Sequence, residues 1–148
     1  MNELPPEQLK SDEKLVALFC HLSLFLGGIV LPIIFWAVNR EKSKFVTFHS
    51  LQAIFFHISY IVIIIAFAIF FVFGGMGFGL LFAGATKHTS SGPSLIFLLV
   101  MIVFYGLFFV IIFGAIGYAI YMGVKAYQGK LNKYPIIGNI IYKKVYGI

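Results

Sequence analysis

The chain has 148 residues, of which 61% are hydrophobic and only 11% charged, and it carries a formal charge of +6. Soluble domains are about 45–50% apolar and about 25% charged, so this composition excludes an ordinary soluble fold and points to an all-α integral membrane protein. A single cysteine excludes a disulfide within the chain, and the basic residues form no aromatic-interleaved module of the kind that binds nucleic acid.

Residues 1–14 are polar and contain Pro5 and Pro6, which predicts a tail before a helix capped near Ser11 or Asp12. The tail is acidic and the apolar run behind it is long, so it does not read as a signal peptide. A span needs roughly 17–25 mostly apolar residues to cross about 30 Å of hydrocarbon. The window at about 15–38 meets that length and is the first predicted span. A second window opens at Phe45 and stays apolar to about Ala85. Within it GGMGFG at 74–79, followed by ATKHTSSGPS at 85–94, disfavours a continuing helix. The reading is therefore a span over about 45–73 and a Gly-rich connection to Ser94, the alternative being a fourth short span through 74–85. The third predicted span covers about 95–122. No internal repeat is present, and residues 1–148 read as one membrane domain.

In the C-terminal segment 129–148, Ile136, Ile137, Ile140 and Ile141 follow Pro135 and gather on one helical face, with lysines and tyrosines at its edges. That pattern predicts an amphipathic helix lying in the membrane interface. With three spans, the joint holding Arg40, Lys42 and Lys44 shares a side with Lys125, Lys130, Lys133, Lys143 and Lys144. This side is expected to be cytoplasmic and to face anionic lipid, with the C-terminus inside and the N-terminus outside.

The polar residues of FVTFHSLQAIFFHISY at 45–60 stand out against this background, and the candidate functional set is His21, His49, Gln52 and His57. On a helix His57 lies roughly 140° from Gln52, so the two are expected to face different neighbours, His57 turning toward the helix that bears His21. His49 and Gln52 are expected to fix the start of the second span against the first joint or the C-terminal segment. Hydrogen bonding across a helix joint is one reading of these groups. Others are a histidine-lined ion or proton conduit and a haem held between His21 and His57.

No third ligand or acidic partner accompanies them, and no metal or cofactor is expected. Catalysis is not expected either. Cys20 and His21 point about 100° apart, and the acids Glu3, Glu7, Asp12, Glu13 and Glu41 all lie outside the spans. Small residues suggest two packing seams, Ala115, Ala119 and Gly123 on the last span, and Ala17, His21, Gly28 and Pro32 on the first. Either seam would also serve a homo-oligomer or a partner in a membrane complex.

Three blocks carry a family resemblance: CHLSLFLGGIVLPIIFW at 20–36, KFVTFHSLQAIFFHIS at 44–59 and KAYQGKLNKYPIIGNIIY at 125–142. With their His-Leu-Ser, Phe-x-x-Phe-His-x-x-Gln-Ala and Gly-Lys-x-x-x-x-Pro motifs they resemble a small bacterial membrane-protein family grouped with the twenty-kilodalton subunit of the chloroplast inner-envelope import translocon. The resemblance implies a helical membrane fold and a scaffold or translocation-associated role without enzymatic activity.

Overall fold

The computed structural model describes residues 9–26, 28–85 and 95–147, with the side chains of 76, 78–85, 96 and 97 excepted. All regular structure among the described residues is helical: α1 (Ser11–Leu26), α2 (Val30–Asn39), α3 (Lys44–Ala85), α4 (Leu95–Tyr127) and α5 (Ile137–Tyr146). Glu13 accepts the backbone N–H of Lys10 at 3.0 Å, half of a capping box, so the cap of α1 falls one residue before Ser11.

The window at 15–38 is not one span. It divides at Gly28, whose φ of +57° is a left-handed conformation that ends a helix, and whose N–H returns to the Ser23 carbonyl at 2.7 Å. At 1.5 Å per residue α1 is about 24 Å long and α2 about 15 Å, both short of the hydrocarbon thickness. Pro32 lies in the first turn of α2, where a missing N–H leaves no hydrogen bond unmade. Beyond Asn39 the chain reverses tightly. Ser43 caps α3 by accepting the Val46 N–H at 3.2 Å, and the Thr47 hydroxyl donates to the Asn39 carbonyl at 3.1 Å.

The glycines at 74–79 do not end α3, which continues to Ala85. Gly weakens a helix by only about 1 kcal/mol relative to Ala, and an apolar surrounding offers the backbone no other hydrogen-bond partner. The segment 74–85 is thus the last part of α3 and not a separate span; the connection at 86–94 lies outside the described residues. Two stretches, Lys44–Gly75 and Leu98–Tyr127, are long and apolar enough to cross a membrane.

Two units make up the chain, Tyr60–Ala115 and the remainder. Within Tyr60–Ala115, Phe67 packs on Phe104 and Phe108 with ring centroids 5.2 and 5.4 Å apart, and Phe71 meets Tyr105 at 5.1 Å. Phe70 stacks on Phe104 at 4.8 Å, so the partner falls from Phe108 to Phe104 as α3 advances from Phe67 to Phe70, and α3 and α4 are antiparallel here. The other unit gathers α1, α2, the first part of α3, the end of α4 and α5. Its apolar centre is Ala17, Phe45 and Ala126, with Leu9 and Leu131 packed against them. As α1 advances from Cys20 to Ser23, its partners on α3 advance from Ser50 to His57, so these helices run the same way. Since α1 and α3 are parallel, α2 must run back between them, and α1–α2 is a hairpin.

Leu9 and Lys14 lie against Gly129, just beyond α4, so the start of α1 is at the same end of this unit as the C-terminal segment. A single span over 15–38 would have put them at opposite ends. There α4 closes in a Schellman motif, with Gly129 at φ +76°, its N–H on the Ala126 carbonyl at 2.9 Å and the Lys130 N–H on the Lys125 carbonyl at 3.0 Å. Ile136 precedes α5, and Ile137, Ile140 and Ile141 lie within about 100° of one another on it, but their burial is not uniform. Ile141 is 3% exposed, while Ile136 and Ile140 are 85% and 64% exposed. On α5, Tyr142 and Tyr146 turn toward Phe48 of α3.

Candidate functional site

Polar groups concentrate where α1, the first four turns of α3 and the loop 130–136 meet. His21, His49, His57, Gln52, Cys20, Ser23 and Ser50 are all buried there, along with Tyr134. Gln52 uses both ends of its amide. Its Nε2 donates to the Asn132 carbonyl at 3.0 Å, and its Oε1 accepts the Tyr134 N–H at 2.6 Å. One helical side chain thereby satisfies two backbone groups of a loop eighty residues away. Gly138 lies on the same carbonyl oxygen. A Cβ there would come within 2.9 Å of Gln52 Oε1 and 2.6 Å of Lys133 Cβ, so glycine alone allows the approach.

His21 bonds in two directions, its Nδ1 3.1 Å from the Tyr134 hydroxyl and its Nε2 3.0 Å from His49 Nδ1. A neutral imidazole has one N–H and one acceptor, so the three groups form a directional chain. In one arrangement Tyr134 donates to His21 and His21 donates to His49, whose Nε2–H then points away. Reversing every donor leaves a bare His49 lone pair and also the Tyr134 proton to be satisfied, so the first is favoured. His49 Nε2 is buried without a hydrogen bond, beside the Lys130 backbone. Both ends of the chain thus lie at the segment 130–134, and a proton moved along it returns to the end from which it came.

His57 faces Ser23 on α1. Its Nδ1 contacts the Ala53 carbonyl and must therefore carry the proton, and its Nε2 lies 3.3 Å from Ser23 Oγ. That hydroxyl also donates to the Cys20 carbonyl at 2.7 Å, and with one proton it cannot serve both acceptors at once. Cys20 Sγ completes the set at 3.1 Å from Ser50 Oγ.

His57 meets α1, the helix that bears His21, and Gln52 meets the C-terminal segment, both as expected by helical wheel; the direct partner of His21 differs. His21 pairs with His49, not His57, and both α3 histidines meet the same helix, because residues eight apart are only 80° apart around it. The His21–His49 gap of 3.0 Å is filled by a hydrogen bond; two nitrogens each about 2.0–2.1 Å from one tetrahedral zinc ion would stand farther apart. Among the described residues no group of three metal-type ligands occurs. Tyr134, Ser23 and Ser50 were missed from the sequence. Tyr134 could have been suspected from the neighbouring Gly129 and Pro135, which force a loop beside the buried end of α3.

On the expected seams, Ala119 is fully buried and Gly123 sits against Leu18 and His21 of α1, whereas Ala115 is only partly buried. Pro32 is buried on α2. Gly28 is not a packing residue, since a Cβ there would meet nothing within 4 Å; the position needs glycine for its φ.

The match to known families is specific. The model of the magnetosome magnetite crystal formation protein family matches residues 12–141. No curated protein and no solved structure matches the chain. A small bacterial membrane-protein family is therefore the right kinship, but nothing in the match supports the expected link to the chloroplast import translocon. The match takes in α1 with His21, the histidine-bearing turns of α3 and the loop held by Gln52, and the chain is a member of the magnetosome magnetite crystal formation protein family.

Proposed function

We propose that this protein is a non-enzymatic membrane component that contributes to crystal formation from within the membrane, as a scaffold for itself or for partner proteins. The family match across residues 12–141 carries the reading. Two long apolar helices supply the membrane attachment. The buried polar residues are occupied in joining α1, α3 and the C-terminal loop, which is the work of a scaffold. Acidic side chains, which would bind iron at a mineral surface, number five in the whole chain against eleven basic ones.

The arrangement has two complete spans, α3 and α4, with the α1–α2 hairpin entering the bilayer and leaving by the same face. Lys10, Lys14, Arg40, Lys42, Lys44, Lys125, Lys130, Lys133, Lys143 and Lys144 then share that face, ten of eleven basic residues compared with eight under three spans. That asymmetry supports a cytoplasmic position for both chain ends.

The test is complementation in a magnetite-forming bacterium lacking its own family member. Restored crystal size by electron microscopy, with the protein resisting alkaline carbonate extraction, is the expected result. Unchanged crystals would overturn the role, and release by carbonate would overturn the membrane reading.

A further inference from the structure

Between α3, the end of α4 and the loop 134–137 lies a half-open slot of about 370 Å³. Its walls are Phe56, Tyr118 and Tyr134. The Phe56 and Tyr134 rings stack at 4.9 Å, and Tyr118 meets Tyr134 edge-on at 5.3 Å. Gln52, Phe56 and Ser59 lie along one side of the slot. At i, i+4 and i+7 they share one face of α3 over about 10 Å of its length. The slot is pre-formed, because the two bonds from Gln52 hold the Tyr134 wall in place. Ile136, in the roof, is a β-branched residue at φ +66° and 85% exposed, an arrangement that gains nothing in water but suits contact with hydrocarbon.

At the loop end the chemistry changes. Lys125 is seven residues beyond Tyr118, on the same face of α4 within about 20°. Its ammonium lies 5.3 Å from the Tyr121 ring, and the Tyr121 hydroxyl accepts from Asn132 at 3.4 Å. An apolar slot with a phenol and a cation one and two turns farther along α4, and an amide beside that phenol, complements a ligand with an apolar tail and an anionic head. An α-helix, about 10 Å across with its side chains, is too wide for this volume.

We propose that the slot holds an acyl chain of one anionic phospholipid, whose phosphate is met by Lys125. The proposal rests on the membrane reading, and carbonate extraction tests that reading separately. The full-length protein, purified in detergent, is exchanged into nanodiscs of mixed dioleoylphosphatidylglycerol and dioleoylphosphatidylcholine. It is then re-extracted, and the lipid retained per chain is counted by native mass spectrometry.

The parent should keep one phosphatidylglycerol per chain. Ser59→Trp fills the slot from an exposed position and should keep none while its helical circular dichroism is unchanged. Lys125→Gln should lower the preference for phosphatidylglycerol about fivefold, the effect of one lysine at an anionic surface. This variant alters a surface charge and keeps the test decisive should the tryptophan variant fail to fold. Equal retention of the two lipids by the parent, the same retention by folded Ser59→Trp, or an unchanged preference in Lys125→Gln would each overturn the proposal and leave only annular lipid.

Discussion

Replacing Gly138 by alanine adds one methyl group at the point where the C-terminal loop is fastened. The new carbon would sit 2.6 Å from Lys133 Cβ, 2.8 Å from Lys133 Cα and 2.9 Å from Gln52 Oε1. Two of these neighbours belong to or adjoin the backbone and cannot swing aside. If the loop stays, overpacking costs about 1–3 kcal/mol. If it retreats, the Gln52 amide loses its partners, and each buried polar group left unpaired costs about 1–3 kcal/mol. Alanine gains about 1 kcal/mol over glycine as a helix residue, which offsets part of either penalty. The cheaper route sets the net expectation, a destabilisation of about 1–2 kcal/mol, read as a lower thermal midpoint in detergent. Hydrogen exchange should also quicken at the Tyr134 amide, whose bond to Gln52 is 2.6 Å long. An equal or higher midpoint with slow Tyr134 exchange would mean that the propensity gain wins, and that the loop is not held as described.

Three further expectations follow from other parts of the unit. In a Cys20→Ser background, single cysteines at Lys10 and at Gln128 should both resist impermeant thiol reagents in intact cells; labelling of the first with protection of the second would restore a complete N-terminal span. Ala119 is fully buried, so Ala119→Leu should cost about 1–3 kcal/mol through overpacking, and a variant as stable as the parent would show that this face can yield. Burial, and secondarily the Tyr118 phenol, raise the pKa of Tyr134 far above the ordinary value near 10. The folded protein therefore keeps a proton that the unfolded chain releases, so this contribution to stability is complete below about pH 10 and is lost as pH rises beyond it. An alkaline ultraviolet titration should show one tyrosine that ionises only on unfolding, and a single ionisation step for all tyrosines in the folded protein would contradict the burial.

The apolar windows were legible because a helix in hydrocarbon needs a long uninterrupted run, which α4 supplies. The N-terminal hairpin was not. Both its arms are apolar, so hydropathy alone cannot tell one long helix from two short ones, and Gly28 looks the same as a turn residue or as a packing residue until its φ is known. The glycines at 74–79 misled in the opposite direction, because breaker strength measured in water overstates what glycine does where the backbone has no competing partner. At the site, His21, His49, Gln52 and His57 were recognisable as polar groups in need of partners. Which partners they found depended on α1 running parallel to α3, and no local pattern encodes that.

The contact between His21 and Tyr134 joins residues 113 positions apart. A ribosome adding about 5–20 residues per second delivers Tyr134 roughly 6–23 s after His21. During that interval the N-terminal hairpin is complete while His21 and Gln52 still lack the loop that satisfies them. The later-made loop therefore closes the earlier-made hairpin. A chain cut before Lys130 would retain α3 and α4 yet leave these polar groups open, a difference by which a membrane protease could tell it from the folded protein.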